Sequence, residues 1–178
     1  SWDFEDVRDH YLELLFGVSA RALRHDDPAR YLAASRVTSG EIMARVLAEF
    51  RRDGSPCRGA LVFTLRDVWP GAGFGLFDAF GRPKAAMHLA SRSLAARALL
   101  PVDEGVNGLD VHLANDREQA WEGTLQARLV RDGEVEVGRG ERALVVPPRS
   151  TLRVHVDALF PGFVDTTYAY RFGPPGHD

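Results

Sequence analysis

Apolar residues in the first half of the chain recur every three or four positions, which predicts amphipathic helices. Such helices are predicted over residues 3–16, 40–53 and 83–98. Asp27 and Pro28 mark a further helix start, because an acidic N-cap followed by proline at the first helical position is favoured there. The residues predicted to form the apolar face of the first helix are Phe4, Val7, Tyr11, Leu14 and Leu15.

A short, fully apolar run over residues 60–65 interrupts these helices and leads into a charged, aromatic loop. Its composition is typical of a strand buried on both faces of a parallel sheet. Barrels of alternating strands and helices deliver residues to their catalytic mouth from the ends of such strands. Because a buried strand without a neighbour leaves its backbone groups unsatisfied, this strand must pair outside the chain, or the helices must cover it.

After Pro101 the apolar period changes to two, which predicts β-strands. Asp132 and Gly133 predict a tight hairpin turn between two of them. Short strands separated by turn residues are typical of a β-sandwich. The sequence therefore predicts two domains, residues 1–100 and residues 101–178. The predicted strands are 108–114, 124–130, 144–146, 152–156 and 166–172.

Composition excludes several classes of function. The 178 residues carry a net charge of −3 with both signs spread along the chain, which argues against a nucleic-acid-binding face. Cys57 is the only cysteine, so an internal disulfide or a cysteine cluster for zinc is impossible. No apolar run approaches the roughly 20 residues of a membrane-spanning helix, and no signal-peptide pattern opens the sequence. We expect no nucleic acid, no membrane, no metal and no cofactor as a partner.

The best candidate site residues are Phe63, Asp67 and Trp69, at and beyond the end of the predicted strand. A carboxylate accepts hydrogen bonds from sugar hydroxyls, and aromatic rings stack on the apolar face of a sugar, so the three suit a carbohydrate site. The structural alternative is that Asp67 caps the turn, Trp69 packs beneath the loop and Phe63 belongs to the core. His112 and His155 fall on the polar faces of strands, where exposure is the default.

Three segments around these residues resemble a known family. They are similar to the last barrel strand and helix of family 2 glycoside hydrolases, and they are the runs from Phe63 to Pro70, from Phe74 to Asp78, and from Gly81 to Lys84 with the Ala-rich helix after it. The β-mannosidases are the group they resemble most. The resemblance implies an α+β composite fold. A C-terminal remnant of a (β/α)8 barrel would be followed by an immunoglobulin-like antiparallel β-sandwich.

The resemblance also implies an activity. Such enzymes are retaining glycosidases that use two glutamates about 5–5.5 Å apart. Both glutamates would lie upstream of Ser1, so we expect no catalytic residue in this chain and no turnover by it alone. Its partner in the intact enzyme would be a β-mannoside or a related carbohydrate. The chain departs from the family pattern at Phe63 and Phe74, where tryptophans are expected, and at Arg66, where asparagine is expected.

The alternative is a stand-alone carbohydrate-binding or structural immunoglobulin-like module. Exposed aromatic residues in line on one sheet face would favour it. The candidates are Trp121, Tyr168 and Tyr170, and strand alternation predicts that the two tyrosines face inward. In the hydrolase interpretation, the exposed barrel face would instead drive self-association of the isolated chain.

Overall fold

A computed structural model describes residues 3–57 and 59–170. Backbone contacts divide the chain into two compact units. The first comprises residues 1–50 and 59–94, and the second comprises residues 51–58 and 95–178. No helix in the described ranges is long and apolar enough to cross a membrane.

Four helices carry the secondary structure of the first unit: α1 (Phe4–Phe16), α2 (Ala20–Asp26), α3 (Pro28–Arg51), whose last residue belongs to the second unit, and α4 (Ala85–Ser93). The predicted helix over 3–16 is confirmed. The Asp3 carboxylate caps its start, and Gly17 ends it with a φ of 61°. The start at Asp27 and Pro28 is also confirmed, since the Asp27 carboxylate accepts from the Arg30 N–H at 3.0 Å.

Two predicted helix boundaries are wrong. The helix predicted over 40–53 is the second half of α3, which runs on from Pro28 without a break at Gly40. Glycine suits this position, because a Cβ there would lie 2.5 Å from Leu89 Cδ1 of α4. The helix predicted over 83–98 ends at Ser93, and its last residues enter a strand.

Leu12, Ala20 and Tyr31 form a buried cluster of the first unit, contributed by α1, α2 and α3. The Tyr31 hydroxyl donates to Asp9 Oδ1 at 2.8 Å and accepts from Arg24 at 2.6 Å, which satisfies its polar end. The apolar face predicted for α1 is not the buried one: all of Phe4, Val7, Tyr11 and Leu14 are exposed, and Leu12 faces the core.

The second unit contains two antiparallel sheets. Its strands are β1 (Arg97–Asp103), β2 (Leu109–Asn115), β3 (Trp121–Arg131), β4 (Val135–Val146) and β5 (Ser150–His155). One sheet has the order β1-β2-β5, and the other is the β3-β4 hairpin. Its turn is confirmed at Asp132 and Gly133, which adopt φ values of 54° and 68°. One core cluster contains residues of both sheets, namely Leu113, Val146 and Val154.

Two predicted strands are wrong. Residues 60–65 form no strand, and Leu61, Phe63 and Leu65 are exposed. The pairing available to this segment is short: the Leu76 and Phe77 N–H groups donate to the Thr64 and Leu65 carbonyls, and a longer ladder does not form within the described part of the chain. Residues 166–170 form turns, with Tyr168 at a φ of 50°. The rest of the strand predicted over 166–172 lies outside the described residues.

Candidate functional site

The segment from Thr64 to Lys84 is a folded loop held by short backbone pairings. The Asp67 N–H donates to the Phe77 carbonyl and the Phe77 N–H donates to the Leu65 carbonyl, both at 3.0 Å. The Lys84 N–H donates to the Leu76 carbonyl at 2.9 Å, which ties the start of α4 to the same segment. These bridges give the loop a fixed shape although the predicted strand is absent.

Asp67 is the buried anchor of this loop. It is 7% exposed, and its Oδ1 accepts from the Gly75 N–H at 2.7 Å. The Lys84 ammonium pairs with Oδ2 and also donates to the Gly73 carbonyl at 3.0 Å. The hydrogen bond from Lys84, followed by that from Gly75, lowers the pKa of Asp67 below its ordinary value, so the carboxylate stays ionised at neutral pH.

Two glycines leave room for the Asp67 side chain. A Cβ on Gly73 would lie 2.4 Å from Asp67 Oδ1, and a Cβ on Gly75 would lie 2.6 Å from the Asp67 nitrogen. Gly71, in the same run, has nothing within 4 Å of such an atom. The loop therefore depends on the absence of side chains at positions 73 and 75.

The structure separates the three predicted site residues. Phe63 is 87% exposed and Trp69 is 79% exposed, so neither packs in the core or beneath the loop. Asp67 faces inward and has both oxygens engaged. Phe74 is 61% exposed and meets the Phe4 ring edge-on at 4.6 Å. The loop can thus offer aromatic surface to a ligand, whereas a sugar hydroxyl could reach Asp67 only by displacing Lys84 or Gly75.

Sequence reasoning missed Lys84, Gly73 and Gly75 as parts of this site. Two signals in the sequence point to them. Lys84 is the only lysine of the chain, and three glycines alternate over residues 71–75 just after Asp67.

In the second unit, one cluster has the residue types of a metal site. Ligand atoms of Glu104, Asp110 and His112 lie within 4.8 Å of one another. An imidazole that binds a metal through one nitrogen usually donates the N–H of the other nitrogen to a neighbour. In His112, however, Nδ1 accepts from the Asp53 N–H at 3.1 Å, so Nδ1 carries no proton to donate and Nε2 has no free lone pair for a metal. Arg52 also pairs with Glu104 at 2.6 Å, which puts a positive charge where the ion would sit. These residues do not fit a metal ion.

The aromatic candidates for a binding module do not line up on one sheet face. Trp121 packs against the buried cluster of Leu113, Val146 and Val154. Tyr168 and Tyr170 are 37% and 46% exposed and lie outside any strand, so the prediction that they face inward is wrong. Tyr170 meets the exposed Phe163 ring edge-on at 5.4 Å.

Comparisons with known proteins find distant similarity to glycoside hydrolases. No model of a known protein family matches the chain. The β-mannosidases B of Neosartorya fischeri and Aspergillus fumigatus are each 26% identical to it over an alignment of 159 residues, which covers 75% of this chain. The chain spans 18% of the length of these curated relatives.

Solved structures show a similar fold. A β-D-mannosidase from Dictyoglomus thermophilum matches 83% of this chain and 17% of its own, with a TM-score of 0.65 and 18% identity. An exo-chitosanase from Amycolatopsis orientalis matches 85% of this chain and 18% of its own, with a TM-score of 0.61 and 18% identity. The resemblance of this chain to the C-terminal part of a family 2, β-mannosidase-like glycoside hydrolase is therefore confirmed.

Proposed function

We propose that this chain is the C-terminal piece of a retaining glycoside hydrolase that cleaves terminal β-mannosides or similar β-glycosides. Residues 1–100 are the end of its (β/α)8 barrel, and residues 101–178 are an immunoglobulin-like sandwich that braces the barrel. Two glutamates in the preceding part of the enzyme perform the chemistry, one as acid/base and one as nucleophile. This chain contributes carbohydrate contacts and no catalytic residue.

The observation that carries the proposal is a loop that exposes aromatic rings and is held in place by the buried Asp67–Lys84 ion pair. Phe63 and Trp69 present large, exposed rings, which is the chemistry that stacks on the apolar face of a sugar. The Asp67–Lys84 pair fixes the loop that carries Trp69. In the intact enzyme, Phe63 and Trp69 form part of the wall of the sugar site, and Asp67 supports that wall from behind.

Uncovered apolar surface supports the barrel assignment. Phe4 and Leu14 of α1 are 73% and 67% exposed, and Leu61, Leu65 and Val68 of the loop segment are also exposed. Apolar surface of this extent marks an interaction site. The occupant in our proposal is the remainder of the same barrel, because the curated relatives are more than five times as long as the part that this chain matches.

Turnover measurements test the proposal. The protein encoded by the complete reading frame should hydrolyse 4-nitrophenyl β-D-mannoside or 4-nitrophenyl β-D-glucosaminide, whereas the chain alone should hydrolyse neither. Site-dependent turnover by the chain alone would contradict the proposal. Binding of β-mannan by a protein whose reading frame begins at this chain would instead support the stand-alone module.

A matched pair of variants tests the role of the loop. Trp69→Ala in the complete enzyme should lower kcat/KM by about tenfold or more, since tenfold corresponds to about 1.4 kcal/mol of binding. Phe163→Ala, which removes a ring with the same 79% exposure from the second unit, should leave kcat/KM unchanged. Equal effects of the two substitutions would remove the loop from the sugar site.

The isolated chain should self-associate through the surface that the barrel covers in the intact enzyme. Sedimentation should show concentration-dependent assembly of the chain. The double variant Leu61→Glu with Leu65→Glu should shift it to monomer, because it places charges on that surface. A wild-type chain that stays monomeric at all concentrations would contradict this part of the proposal.

A further inference from the structure

His112 hydrogen-bonds to the backbone of the segment after α3, which belongs to the same unit. It lies in β2, is 0% exposed and accepts the Asp53 N–H at Nδ1. A backbone N–H can only donate, so Nδ1 carries the lone pair and the proton of the neutral ring is on Nε2. Nε2 is buried and has no hydrogen-bond partner among the described residues.

Charged groups face this ring from every neighbouring element. Arg52 and Asp53 come from the segment itself, and the others lie after β1 (Glu104), in β2 (Asp110) and in β5 (Arg153). Burial, followed by the positive charge of Arg52, lowers the pKa of His112 below its ordinary value. The ring is therefore neutral at pH 7, as its bond to Asp53 requires.

We propose that His112 is a proton-sensitive latch that holds the backbone at Asp53 on β2 at neutral pH and releases it when the ring is protonated. The effect of protonation depends on which ring nitrogen takes the second proton. Nε2 already carries one, so the added proton binds Nδ1, where it faces the Asp53 N–H. The hydrogen bond is lost, because two N–H donors then face each other. The Arg52 charge also disfavours the protonated ring, and together with burial it outweighs the opposite effect of the Asp110 and Asp53 carboxylates.

Linkage sets the size and sign of the effect. The released histidine has a pKa of about 6.5, and the latched one binds its proton less readily. The ratio of open to closed segment is therefore smallest above about pH 6.5. It rises by up to about tenfold per pH unit as the pH falls from there towards the pKa of the latched ring, since one proton is taken up on opening.

Amide hydrogen exchange tests the latch in the purified chain. Protection factors of Asp53 and Gly54, corrected for the intrinsic pH dependence of exchange, should fall steeply between pH 7 and pH 5. His112→Asn keeps an acceptor near the position of Nδ1 but cannot titrate, so its protection should stay level over the same range. His25→Asn removes a histidine whose side chain is 90% exposed and should behave as the wild type does.

A spectroscopic measurement on the wild type covers the case in which His112→Asn does not fold. The ring nitrogen shifts should report the Nε2–H tautomer at pH 7, and their titration should coincide with the change in the Asp53 amide. An Nδ1–H tautomer, or Asp53 protection that is independent of pH between 7 and 5, would overturn the proposal. So would a His112→Asn variant that loses protection as the wild type does.

Discussion

Asn115 joins the two sheets of the second unit, and its removal should be costly. It ends β2 and is 0% exposed. Its amide nitrogen donates to the carbonyls of Gln119, Pro147 and Val146 at 2.9, 3.0 and 3.3 Å, and its Oδ1 accepts from the Arg117 N–H at 3.1 Å. One side chain thus satisfies backbone groups at the end of β2 and at the end of β4.

The magnitude follows from these bonds. Asn115→Ala removes two N–H donors and one acceptor, each with a net contribution of about 1 kcal/mol, and takes this donor away from three backbone carbonyls. We expect the free energy of unfolding to fall by about 3–4 kcal/mol. With an m-value of about 2 kcal/mol per molar urea, the midpoint of urea unfolding should fall by about 1.5–2 M.

Two further variants sharpen the test. Asn115→Asp keeps the shape but presents an anion to three carbonyl oxygens. It should be at least as destabilising as alanine at pH 7 and recover in acid, where the carboxyl regains a proton. Asn107→Ala, at an exposed position, should stay within about 0.5 kcal/mol of the wild type. Equal stabilities for Asn115→Ala and Asn107→Ala would refute the reasoning.

Three further changes test the loop and the core. Gly75→Ala should speed amide exchange over residues 67–77, because its Cβ would lie 2.6 Å from the Asp67 nitrogen. Gly71→Ala is the control and should leave exchange unchanged, because a Cβ there has nothing within 4 Å. Equal exchange rates in the two variants would contradict this packing. The hydrogen bond from Lys84 is the largest cause of the lowered pKa of Asp67. The ionised Asp67 should therefore stabilise the folded state above about pH 4, and this contribution should be lost as the pH falls through the pKa of Asp67 in the folded state. Urea midpoints from pH 2 to 7 should show this acid-side slope, and Asp67→Asn should lack it. Leu113→Ala, at a core residue 2% exposed, should lower the free energy of unfolding by about 2–5 kcal/mol, well beyond Leu99→Ala at a residue 53% exposed.

Local signals predicted the elements whose causes are local. The start of α1 follows from Asp3 and its end from Gly17, and the hairpin follows from Asp132 and Gly133. The alternation along β2 and β5 likewise predicted strands. The prediction is correct because the two strands pair with each other within the chain. These features depend on neighbouring residues or on one sheet, so the sequence pattern was sufficient to predict them.

Elements that depend on distant partners were predicted less well. The apolar run 60–65 has the composition of a buried strand, yet no strand forms there and its side chains are exposed. The apolar stripe of α1 is exposed for the same reason, since pattern alone does not say what covers a face. The strand over 97–103 was hidden because Leu99 and Leu100 extend an Ala-rich helical pattern.

The sequence named candidate site residues but did not indicate their arrangement, and their role in binding stays a prediction. The short spacing between Phe63, Asp67 and Trp69 suggested that they belong to one binding site. Their different burial follows from Lys84, which reaches Asp67 from the start of α4. A contact of this kind depends on the path of the loop, and no local pattern specifies that path.

The most direct test of the central claim is to read the coding sequence immediately upstream of the codon for Ser1. Our account predicts several hundred further residues in frame, with one glutamate after the fourth strand of a barrel and a second after the seventh. In that case this chain is the C-terminal piece of a retaining glycosidase. A start codon just ahead of Ser1 would contradict the account and leave the stand-alone module in its place.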